Sequence, residues 1–311
     1  MRPGLHHQKV IIRKEHFLKN PVFEGACTAI ITPFCADGID YPSLSRQIDF
    51  QIENGIDAIT VAGTTGENAT LEIHEYAQLV DFSINKCKGK VKVIVGIGGN
   101  NTSSCLKKGK IAKESGADAL LMTPPYYNKC SASGLRAHFF KIADSIDLPL
   151  ILYNVPSRTV VGIDIECYKS LSRHPNINGT KEASGNLSLI SKITCHCGDD
   201  LNIWSGNDDN TIPLMSMGAK GVISVMSNLL PSEVKKICDL CLCRDYSAAF
   251  DIYKKYSALC EALFIDVNPI PIKAAMHLVK RDRGEMRLPL TPLDESRFEI
   301  LKGEMKKLGL I

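Results

Sequence analysis

The chain has 311 residues, of which 44% are hydrophobic and 23% charged, with a formal net charge of +3. That length and composition allow one large buried core and exclude a chain disordered throughout. The first twenty residues carry Arg2, Lys9, Arg13, Lys14 and Lys19 against Glu15, so +4 sits there and −1 on the rest, a balance that excludes nucleic acid or an anionic membrane as the main partner.

The N-terminal stretch, residues 1–21, lacks the apolar core of a secretory signal and reads as a loosely attached, disordered extension, with a targeting segment as the minority reading. No apolar run approaches the roughly 18 residues of a spanning helix. Short apolar runs then recur through the chain at 26–32, 57–63, 91–98, 118–124, 149–155, 177–183, 201–207 and 221–227. They are continuous rather than alternating, as buried parallel strands are. Between them lie amphipathic stretches such as "YPSLSRQIDFQIENG" and "EIHEYAQLVDFSINKC". Eight such units predict an α/β fold, a (β/α)8 TIM barrel, over 22–244. An open doubly wound sheet is the rival, but "GIGGNN" at 96–101 is not the G-x-G-x-x-G fingerprint. Helical patterns near 232–243, 246–263 and 271–280 exceed what closes the last unit, so 245–311 reads as a C-terminal helical appendage.

The twelve cysteines are spread along the chain, mostly in apolar surroundings, which suits reduced thiols in a cytoplasmic protein. "CHC" at 195–197 and "CDLCLC" at 238–243 suggest a metal, but Cys238 and Cys241 fall on one helical face and no matching pair completes four zinc ligands. No metal site is expected.

Distinctive polar residues cluster where these strands end, the rim at which such barrels place their chemistry. In "GTTGEN" (63–68) the free amides of a βα turn can hold a carboxylate, or Thr is simply a helix cap. "YYN" (126–128) reads by itself as an aromatic rim. In "YNVPSRT" (153–159), Tyr153 can relay protons and Arg158 can grip a carboxylate, or Arg158 is a surface residue. Lys181 ends an apolar strand in "INGTKEASGN" (177–186). Its neighbour Glu182 points to the opposite face, so it is a poor partner. An unpaired lysine in a low-dielectric pocket is a nucleophile able to form an imine with a carbonyl substrate.

"GTTGE", "YYN", "LYNVPSRT", "KEASGN", "SGND", "GVISV", "NPIPIKAAM" and "RLPLTP" occur in this order from about Phe23 onward. In that set the chain resembles the dihydrodipicolinate synthase family, which performs the first committed step of diaminopimelate and lysine synthesis. The resemblance implies that Lys181 forms a Schiff base with pyruvate and that Thr64, Tyr153 and Tyr127 form a proton relay, with Tyr127 donated across a dimer interface. It further implies that the amides of Thr64 and Thr65 bind the pyruvate carboxylate, that Arg158 holds the carboxylate of aspartate semialdehyde, and that Gly206 and Ile223 line the pyruvate pocket. No metal or organic cofactor is implied, and the expected assembly is a homodimer or homotetramer. Other pyruvate-dependent lyases, such as N-acetylneuraminate lyase, share the lysine and tyrosine but usually depart from the double threonine and from the arginine. A non-catalytic barrel would be expected to have lost part of this set.

Many members bind lysine as an inhibitor, and the matching positions are Asn68, Ala69, Ile73, Tyr76, Asn100, Ser104 and Tyr126. Lysine-sensitive members carry glutamate at the Ser104 position, so weak or absent lysine inhibition is expected.

Overall fold

A computed structural model describes residues 19–198 and 200–311; the expected extension at 1–18 lies outside the described residues. Eight parallel strands close into a barrel: β1 (Gly25–Ala29), β2 (Ala58–Val61), β3 (Lys92–Gly96), β4 (Ala119–Met122), β5 (Leu150–Asn154), β6 (Ile177–Glu182), β7 (Asn202–Ser205) and β8 (Gly221–Ser224). Each strand pairs with its neighbours in sequence, and β1 closes on β8. Closure needs backbone in close approach: Gly25 pairs with Gly221, and a Cβ on Gly221 would lie 1.8 Å from the Gly25 carbonyl oxygen. All eight predicted strands are present.

Side-chain alternation splits each strand between two cores. One set packs against the helices. The other fills the barrel: Cys27, Ala58, Ile94, Ala119, Leu121, Ile151, Tyr153, Trp204 and Ile223. Trp204, the only tryptophan, is fully buried; its ring stacks on Phe23 at 5.1 Å and its Nε1 donates to the Phe23 carbonyl at 3.2 Å. This pair plugs the end of the barrel opposite the polar rim. Lys19 closes the same end, donating to the carbonyls of Ser172, His174 and Ile177. Residues 19–21 were expected in the loose extension. Here Lys19 and Asn20 are bonded to the barrel: the ammonium satisfies three carbonyls at once, and the Lys19 and Asn20 carbonyls accept from Asn202 and Asn178.

Helix starts follow the side chains that can cap them. Asp40, Asn101, Ser131, Asp164, Asn186 and Asp245 each accept an amide of the first turn. Helix Pro231–Leu242 buries Cys238 and Cys241 in the core, and Cys243 is exposed beyond its end. Helices Tyr246–Ala262 and Ile270–Leu278 follow as expected. Helix Glu295–Lys307 was not foreseen, since only Leu301 and Met305 bury and so few apolar positions leave little periodic signal. The hairpin of Phe34–Cys35 and Gly38–Ile39 is too short to leave one. Among the described residues no helix is long and apolar enough to cross a membrane, and no three His, Cys, Asp or Glu side chains group as metal ligands.

Candidate active site

The polar rim surrounds a cavity of about 520 Å³. Thr64, Tyr153 and Arg158 line it, together with Asn268, Pro269, Pro289 and Leu290 from the C-terminal region. Lys181 lies just behind this lining. Strand register pairs it with Tyr153 on β5 and Trp204 on β7, so all three side chains point into the barrel. Its Nζ stands 4.3 Å from the centroid of the Tyr153 ring. The side chain is buried, and among the described residues no carboxylate pairs with it. Glu182 points outward, accepting from Asn154 Nδ2 at 2.9 Å, Tyr168 OH at 2.9 Å and the Ser184 amide at 2.8 Å.

Cys27 and Asp208 both lie close enough to feel the Lys181 charge. Cys27 lies in the same barrel interior against Thr60, and burial pushes its thiol up to about 12, so it stays neutral. Burial also pushes the Asp208 carboxyl up, against the Ser224, Met226 and Val225 hydrogen bonds and the Lys181 charge that pull it down. Asp208 Oδ2 accepts from the amides of Val225 and Met226 at 3.0 Å each, tying the loop after β7 to the end of β8.

Room for Lys181 depends on Gly206, where a Cβ would stand 3.1 Å from Lys181 Cγ and Cε and 2.7 Å from Ala183 Cβ. Ile223 is fully buried in the same interior cluster as Tyr153. Thr65 is buried too, its Oγ1 accepting from Asn268 Nδ2 at 3.0 Å. Among the described residues, the backbone amides of Thr64 and Thr65 donate to no protein acceptor. Thr64 lines the cavity, and an unpaired amide there suits a carboxylate. Arg158 donates to the Asn268 carbonyl at 3.2 Å and leaves the rest of its fork toward the cavity.

Tyr127 is not in this cavity. It is 89% exposed with φ of +67°, so within one chain it stands apart from Thr64 and Tyr153. Asn68, Ala69, Ile73, Asn100, Ser104 and Tyr126 extend the cavity on its far side. Tyr76 is fully buried and not part of the lining, its OH donating to the Gly96 carbonyl at 3.2 Å. Lys108, which the sequence did not single out, does line the cavity. Its Nζ donates to Asn68 Oδ1 at 2.6 Å and lies 5.1 Å from the Tyr76 ring centroid, and burial holds its ammonium below the ordinary lysine range.

A parallel (β/α)8 barrel holding an interior amine beside a phenol, with backbone amides left without protein acceptors, is the arrangement of a lyase of the class I aldolase type. The sequence agrees at every length scale: residues 22–308 match the Dihydrodipicolinate synthetase family, and the chain belongs to it. It is 43% identical over 290 residues to a 4-hydroxy-tetrahydrodipicolinate synthase of Clostridium perfringens, covering 93% of this chain and 100% of that protein. Among solved structures, it superposes with a TM-score of 0.90 on a lysine-bound dihydrodipicolinate synthase from Cyanidioschyzon merolae, 38% identical, covering 94% of this chain and all of that one. It superposes with a TM-score of 0.91 on a protein described as the first monomeric dihydrodipicolinate synthase variant, also 38% identical, covering 93% and 98%.

Proposed function

We propose that the chain condenses pyruvate, held as an imine on Lys181, with L-aspartate 4-semialdehyde to give 4-hydroxy-tetrahydrodipicolinate, a step of diaminopimelate and lysine synthesis. The observation that carries this reading is the unpaired Lys181 amine packed on Tyr153 behind a cavity that also holds Thr64 and Arg158. Lys181 attacks the ketone carbon of pyruvate and water leaves, forming the imine. The imine withdraws electrons, a methyl proton departs, and the resulting enamine carbon bonds to the aldehyde carbon, whose oxygen takes a proton. The amine of the second substrate then closes on the imine carbon and releases Lys181, so one water is lost overall. Tyr153 passes the protons, relayed through Thr64 and Tyr127. The Thr64 and Thr65 amides hold the pyruvate carboxylate and Arg158 that of the aldehyde. Gly206 and Ile223 shape the pyruvate pocket.

In this reading residues 22–244 form the catalytic barrel and 245–311 a helical region, working on soluble metabolites in the cytoplasm. A coupled assay with pyruvate and aspartate semialdehyde tests it. Turnover there and none with N-acetylneuraminate is expected; the reverse would assign a sugar-acid lyase. Gly206→Ala is expected to lower kcat by about 10²-fold by pushing the Lys181 stem aside, with a smaller change in melting temperature. An unchanged kcat would mean that Lys181 tolerates the shift.

Tyr127, 89% exposed in one chain, joins the relay only if a second copy presents it. The active species is therefore at least a dimer, and a fully active monomer by light scattering would contradict this. Free lysine is expected to inhibit weakly. Lys108 already places an ammonium in the far side of the cavity, on Asn68. Ser104 brings no carboxylate to pair a second one, and the lining Glu67 is bound to Lys273. A sub-millimolar lysine inhibition constant would contradict this.

A further inference from the structure

The segment "NPIPIKAAM" has no role in the chemistry above, yet it carries a lysine with no solvent exposure. Lys273 Nζ donates to Glu67 Oε1 at 2.7 Å, with the two side chains 0% and 1% exposed. It also donates to the Thr32 carbonyl at 2.9 Å and lies 4.5 Å from the Phe34 ring centroid. A wholly buried ion pair is a poor source of stability, because desolvating both charges offsets their attraction, and apolar replacements of similar size are often neutral or better. Its placement suggests another use.

Glu67 belongs to "GTTGEN" and sits at φ of +54°, a left-handed conformation uncommon for a residue with a side chain. Its amide donates to the Thr64 carbonyl at 3.0 Å. Its second carboxylate oxygen accepts the Arg287 amide at 3.1 Å, and the Arg287 guanidinium donates to the Thr70 carbonyl at 2.9 Å and to Glu75 at 2.6 Å. Thr32 Oγ1 donates to the Gly66 carbonyl at 2.8 Å, so the residue that accepts Lys273 also grips the turn. Five residues before Lys273, Asn268 holds Thr65 Oγ1 and accepts from Arg158. The turn bearing the free amides is thus held from the C-terminal region and from Thr32, in addition to its own hydrogen bonds.

We propose that the Lys273–Glu67 pair is a positioning device that holds the Thr64 and Thr65 amides in the orientation that receives the pyruvate carboxylate. This rests on the reading of those amides given above. The C-terminal helices, on this account, are part of the active site, and the pair acts on pyruvate binding without touching it. Removing one partner strands a buried charge, so Glu67→Gln and Lys273→Met should each lower the melting temperature and raise the pyruvate KM by about tenfold. The double variant Glu67→Leu/Lys273→Met leaves no buried charge. Its melting temperature should return toward that of the unaltered protein while the pyruvate KM stays raised by about tenfold. If the pyruvate KM recovers together with the melting temperature, or if the single variants melt earlier with an unchanged pyruvate KM, the pair is structural only and the proposal fails. Should the double variant not fold, the pyruvate KM of Glu67→Gln, read well below its melting temperature, decides alone: a raised value supports the proposal and an unchanged one overturns it. A failure of the proposed function itself would show differently, as no pyruvate adduct on Lys181 of the unaltered enzyme.

Discussion

Lys181→Met is expected to lower kcat by roughly 10⁴-fold or more, because without the amine no imine forms and the methyl proton of pyruvate keeps its ordinary acidity. The same substitution should not harm the fold. Lys181 is 5% exposed, and among the described residues no carboxylate forms an ion pair with it. A methionine of similar length fills the same channel between Tyr153 and Gly206 without burying a charge. The melting temperature should therefore hold or rise while activity in the coupled assay disappears. Loss of both together would mean that the lysine supports the barrel, and retained activity would remove it from the chemistry.

Tyr153→Phe is expected to lower kcat by roughly 10²- to 10³-fold, the usual range for a lost general acid–base group. Here too stability should be spared. Tyr153 lies in the barrel interior, and among the described residues its hydroxyl has no protein hydrogen-bond partner, so a phenylalanine leaves no group unsatisfied. The ring that Lys181 packs on is kept. Imine trapping should remain possible but slow, whereas Lys181→Met traps nothing. Kinetics and thermal melts of the two variants therefore separate the amine from the proton carrier.

The barrel was legible because each strand is buried on both faces and reads as an uninterrupted apolar run, as "PLILYNV" and "DALLMTP" do. Lys181, Tyr153, Thr64 and Arg158 stood out because polar residues end those runs, and the structure gathers them at one rim. What stayed hidden depends on contacts between distant segments. Trp204 is one more apolar residue in "LNIWSGN" until its stack on Phe23 makes it the barrel plug. Lys273 looks like an ordinary helix lysine, and only the docking of its helix onto Thr32 and Glu67 marks it as buried. Lys108 reads as part of a solvated "KKGK" run, although its ammonium turns inward to Asn68. Tyr76 entered the expected inhibitor site only as a position matching the family, and helical phase buries it with its OH on the Gly96 carbonyl. No periodicity carries information of this kind, because each case depends on the side chain opposite.

The central claim is that Lys181 is the amine that holds pyruvate. Borohydride reduction in the presence of pyruvate, followed by intact and peptide mass spectrometry, tests it most directly. The account predicts a mass gain of one reduced pyruvate per chain, located on the peptide containing Lys181 and absent from Lys181→Met. No adduct, or an adduct on another lysine, would contradict it.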